Sequence, residues 1–221
     1  MRQGAAAATQ EMHVKIKQII ADHAEWLANP TTGRRANLVR ANLVRANLDH
    51  ANLAGANLDH ANLDHANLVG ANLDHANLDH ANLAYANLDR ANLLGANLAH
   101  ANLEGAILDG VSFTGASLNR ATLPAGVPIV PNIDAAILAA IGEDASGLNM
   151  NVWHCGTTHC RAGWPVKLAG KAGAKLERRF GTGTAGALIY AASRPGMPVP
   201  NFYATNADAL ADLRKCAEMA E

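Results

Sequence analysis

Residues 36 to 125 form eighteen consecutive pentapeptides, and the first fourteen, from Ala36 through Gly105, all begin Ala-Asn-Leu. The unit ANLDH recurs five times, starting at Ala46, Ala56, Ala61, Ala71 and Ala76. A period of five suits neither regular element. On a helix advancing about 100° per residue the leucines would spread around the whole surface. In a flat strand, alternation with period two would send Leu38 to one face and Leu43 to the other. The chain must therefore turn once per repeat. With Ala and Leu inward and the other three positions outward, successive units become sides of a coil with one apolar interior, which is a solenoid.

The units ANLVR, ANLDH, ANLAG and ANLEG resemble the A-(N/D)-L-x-x signature of pentapeptide repeat proteins. The resemblance covers residues 36–125. It implies a mainly β solenoid, a right-handed quadrilateral β-helix with four pentapeptides per coil, Leu at the central position and Ala two before it. At roughly 4.8 Å between neighbouring strands the column would be about 22 Å tall. Each buried leucine would contribute on the order of 1.5–3 kcal/mol.

Both ends are marked. The last units, AILDG, VSFTG, ASLNR and ATLPA, keep an apolar centre but lose Asn, as terminal repeats of a solenoid do. Before the repeats, Met12, Ile16, Ile19, Ile20, Ala24 and Leu27 recur at helical spacing behind a Thr9 cap, which predicts a capping helix over 9–28. After them, Pro124, Pro128 and Pro131 punctuate a change to helical patterning. The expected division is residues 1–35, 36–125 and 126–221. The last part is a small α-helical domain with helices from Asn132 or Asp134 to Ile141, Lys171 to Phe180, Ala185 to Ser193 and Asn206 to Ala220. Its expected core is Ile137, Leu138, Leu168, Leu176, Leu188, Ile189, Leu210 and Leu213.

The formal charge is −1, made of +2 before the repeats, −4 within them and +1 after them. No basic stripe of the kind nucleic-acid binding requires is present, so direct nucleic-acid binding is disfavoured, and no polybasic membrane patch is seen. No signal-peptide core or run of eighteen apolar residues occurs, so the expectation is a cytoplasmic protein that does not engage membranes. Three cysteines in 221 residues argue against a disulfide framework.

Two groups of side chains are candidates for chemistry. Residues twenty apart should share a face one coil apart. One face then reads Arg40, His60, His80, His100 and Arg120, flanked by Asp59 and Asp79. Such a ladder suits an anion, a metal or an acidic partner; the plainer reading is a solvated polar face that keeps stacked strands soluble. Asn37 and its equivalents are assigned to turn hydrogen bonds. The second group is the run from Trp153 to Trp164, with His154, Cys155, His159 and Cys160 within seven residues. Cys160 near a helix start, beside Arg161, would favour a thiolate, with His159 or His154 as base and Cys155 as resolving thiol. The same four side chains are suitable zinc ligands at an unusual spacing. Buried packing between Trp153 and Trp164 is the third alternative.

The reading is a non-enzymatic scaffold that binds another protein, without a cofactor, and is open to homo-oligomerisation through an exposed column end. The alternatives are a cysteine-dependent enzyme or zinc site in residues 126–221 and, by resemblance, a DNA mimic directed at DNA gyrase. The −4 charge, interrupted by Arg40, Arg45, Arg90 and Arg120, supports such mimicry poorly.

Overall fold

The computed structural model describes residues 2–141, 162–202 and 204–218, with side chains from Lys15 onward. In each repeat through Arg120 the amide of the following residue bonds back to the carbonyl of the central one, as Ala41 N to Leu38 O at 3.0 Å and Ala81 N to Leu78 O at 3.0 Å. The fifth residue has positive φ in every unit from Arg40 to Arg120, between 52° at His75 and 71° at Gly115. A four-residue turn with positive φ at its third residue is of type II, and it bends the chain once per repeat. Glycine fills this position without penalty; histidine is among the residues enriched there.

Between bends, single residues pair in parallel, from Asn37 with Asn57 to Asn102 with Thr122, always twenty apart. Leu38 N donates to Asn57 O at 2.7 Å and Asn57 N to Ala36 O at 2.9 Å, and this pattern repeats along the column. The hydrogen bonding itself thus carries four pentapeptides per coil. Each repeat supplies one bridging residue and no longer strand, because the turn uses the rest of the unit.

The twelve leucines at the third position of the units from Leu53 to Leu108 have no exposed surface, and Ala56, Ala61, Ala71 and their equivalents fill the gaps beside them. The asparagines serve the backbone, as expected. Asn72 Oδ1 accepts from Asp74 N at 3.1 Å and from Asn92 Nδ2 at 3.1 Å, while its own Nδ2 donates to Asn52 Oδ1 at 3.1 Å. Asn72→Ala is expected to lower stability by about 1–2 kcal/mol in urea unfolding, the net of a few partly exposed hydrogen bonds.

Helix α1 is Arg2–Ala28. It starts before Thr9, so Thr9 lies in the helix interior and is not its cap; the alanine-rich lead has the best helical propensity of any residue type. Met12 has no described side chain. Ile16, Ile19 and Ile20 join the buried cluster of the column. Ala24 is exposed, and the inward place goes to His23, which is fully buried. His23 Nδ1 accepts from Ala36 N at 3.1 Å and His23 Nε2 bonds Ala54 O at 3.1 Å, so the ring ties α1 to the first coil. Trp26 stacks on it, with ring centroids 5.4 Å apart.

Beyond the repeats lie α2 (Ile133–Ile141), α3 (Gly163–Leu168), α4 (Gly170–Phe180), α5 (Thr182–Ser193) and α6 (Asn206–Glu218). Four of these match predicted helices; α3, only six residues long, was not foreseen. All eight expected core residues of this region belong to the buried cluster or pack against it, and the cluster is continuous with the interior of the column. Thr182 to Thr184 form the first turn of α5 behind Gly181. Gly186 permits α5 to meet α3, since a Cβ there would sit 2.5 Å from Ala162 O. Asp134, in the first turn of α2, pairs with Arg194 at 2.9 Å, and both are nearly buried.

The far end of the column is bonded to this region. Gly115 N donates to Val199 O and Val199 N to Ala116 O, each at 2.9 Å, so the segment at Val199 adds itself beside the last coil. Thr184 Oγ1 donates to Val111 O at 2.9 Å. No helix among the described residues is long and apolar enough to cross a membrane.

Candidate functional site

The turns present their fourth and fifth side chains outward, apart from the buried Ala84 and Thr114, and the twenty-residue register stacks them. Arg40, His60, His80, His100 and Arg120 occupy one edge, held by the ladder bonds Arg40 N to Asp59 O, His60 N to Asp79 O, His80 N to Ala99 O and His100 N to Asn119 O, all 2.8–2.9 Å. The structure brings the three imidazoles together in a row: His60 and His80 are tilted with centroids 4.6 Å apart, and His80 and His100 meet edge to face at 4.4 Å. Arg40 and Arg120 stand at the two ends of this row.

The carboxylates differ from rung to rung. His60 Nδ1 lies 2.9 Å from Asp59 Oδ1, a direct hydrogen bond, and His65 Nδ1 holds Asp64 Oδ1 at 2.9 Å on the neighbouring edge. His80 Nε2 is 3.9 Å from Asp79 Oδ1, too far for a hydrogen bond. His100 follows Ala99 where every other repeat histidine follows an aspartate. Both ring nitrogens of His100, and Asp79 Oδ1, are shielded from solvent with no hydrogen-bond partner. Asp79, His80 and His100 each place one donor atom within 4.8 Å of the others. The face was legible from the repeat; this local cluster was not singled out, although the Ala99 substitution was the signal for it.

His154, Cys155, His159 and Cys160, with Trp153 and Arg161, lie outside the described residues, as does Tyr203. Trp164 and Val166, at the edge of that run, are buried. Cys216 is buried, with Sγ 3.7 Å from Asp212 Oδ1. Burial pushes its thiol pKa up; Arg194 opposes this and Asp134 and Asp212 add to it, so the thiolate is disfavoured.

The family described as pentapeptide repeats matches residues 34–64, 56–95 and 96–124, in eight copies. The chain is 30% identical to a pentapeptide repeat protein from the thylakoid lumen of Arabidopsis thaliana, over 46% of this chain and 70% of that one, with a TM-score of 0.40. It is 34% identical to a pentapeptide repeat protein from Nostoc PCC 7120, over 46% of this chain and 84% of that one, with a TM-score of 0.26. It is 21% identical to QnrB1, a plasmid-mediated fluoroquinolone resistance protein, over 43% of this chain and 55% of that one, with a TM-score of 0.32. No curated protein matches the chain. With the repeat unit, its register and eight matched copies in agreement, this chain belongs to the pentapeptide repeat family.

Proposed function

We propose that the protein is a non-enzymatic scaffold that binds another protein. In this reading residues 36–125 form a right-handed quadrilateral β-helix, residues 1–35 cap its first coil and residues 126–221 cover its last. The observation that carries the reading is the division of labour within the repeat. Ala and Leu are used by the interior and Asn by the turn, while variation is concentrated at the two positions the turn presents to solvent. Those side chains stand on a lattice of backbone bonds, so a partner meets a preorganised surface and little ordering entropy opposes docking.

A photo-crosslinking residue placed in turn at Arg40, Tyr85, Arg90 and Leu94 samples the four edges of the column in its native cell. Crosslinks from one edge to one protein, recovered by mass spectrometry and abolished by charge reversal of that edge, are the expected result. Adducts absent from all four edges, or spread evenly among unrelated proteins, would overturn the reading.

A further inference from the structure

We propose that Asp79, His80 and His100 bind one transition-metal dication of the Zn²⁺ class on the face of the column. Two imidazoles and one carboxylate are a donor set suited to Zn²⁺, and also to Cu²⁺ and Ni²⁺. Mg²⁺ and Ca²⁺ prefer oxygen donors throughout. The three donor atoms are within 4.8 Å of one another. Zn–N bonds of about 2.0–2.1 Å require roughly 3.3 Å between donors in a tetrahedral site. Closing that difference takes rotation of surface side chains and no movement of the backbone, which the ladder bonds from His60 N to Asp79 O and His80 N to Ala99 O hold in register.

The polar accounting favours this rung over those of His60 and His65. His60 and His65 each have a carboxylate at 2.9 Å. His100 has none, and its two ring nitrogens and Asp79 Oδ1 are withdrawn from water without partners. Such groups normally find a partner, and a coordinated ion supplies one to both His100 and Asp79. With three protein donors the ion keeps an open position toward solvent, where water or a donor from another molecule completes its shell.

The test is calorimetric titration of the full chain with Zn²⁺ near neutral pH, in a Cys155→Ser, Cys160→Ser background that removes the thiol ligands. One equivalent should bind. His80→Gly and His100→Gly should each weaken binding at least about tenfold, the loss that even a second-sphere change causes; His65→Gly should leave it unchanged. Glycine is suited to these positions because they hold positive φ, 54° at His80 and 58° at His100. Should the cysteine background not fold, Co²⁺ added to the unaltered chain keeps the test. Visible d–d absorption without a thiolate charge-transfer band, lost in His100→Gly, supports the site. No saturable binding, unchanged affinity in His100→Gly, or equal affinity for Ca²⁺ would overturn the proposal.

Discussion

Leu78→Ala should destabilise the protein by about 2–5 kcal/mol, whereas Leu94→Ala should change stability by less than about 0.5 kcal/mol. The residue type and the chemical change are the same. Leu78 is the third residue of its unit and has no exposed surface; Leu94 is the fourth and is 37% exposed. In the first case the lost transfer free energy is joined by a cavity that the coil cannot collapse around, because the backbone on both sides is fixed by ladder bonds to Asn57 and Asn97. In a stacked array each coil depends on its neighbours, so the loss spreads to the coils above and below. Urea unfolding of the two variants, with amide exchange to locate the weakened coils, checks both values. Equal effects would show that the fourth position is not a surface position.

His23→Ala should release α1 from the first coil, with a cost of about 3 kcal/mol to docking. The variant leaves Ala36 N and Ala54 O buried without their partner and opens a cavity beside Trp26. Acid should mimic it. Burial lowers the His23 pKa from the ordinary value of about 6.5; the bond to Ala54 O opposes this and the Arg35 charge reinforces it. The folded state therefore resists a proton that the unfolded chain accepts. The contribution of His23 is complete above about pH 6.5 and is lost as pH falls from there through the lower folded-state pKa. Protonation also removes the lone pair that Ala36 N uses. Limited proteolysis of α1 followed against pH should show increasing cleavage on acidification in the wild type. His23→Ala should be cleaved readily at every pH. A wild-type profile that is flat would mean that docking does not depend on the neutral ring.

Much of the candidate face could be read before any coordinates. The period of five placed His60, His80 and His100 on one edge because the repeat has no insertions, so sequence distance converts directly into height. The difference between rungs could not be read in this way. Whether an imidazole reaches its own aspartate, as His60 does, or is left beside another rung, as His100 is, depends on side-chain rotation in the turn. The pentapeptide does not encode that rotation. His23 shows the same limit from another side. Helical spacing from Ile16 through Ile20 to Leu27 passes through position 23, but a polar residue there gives no apolar signal, and only the bare Ala36 amide and Ala54 carbonyl on the adjoining coil explain its burial.

The sequence by itself determined the coil: its period, its inward Ala and Leu and the use of Asn in the turns. These follow from local chemistry repeated without change, and local rules are enough when every long-range contact is a fixed twenty residues away. Only the tertiary structure decided how the two flanking regions close the column, through His23 at one end and Val199 with Thr184 at the other. Those contacts join segments whose separation in sequence follows no period, and their partners are backbone groups left open by the first and last coils. Such groups have no signature in residue type, so they become visible only when the chain is folded.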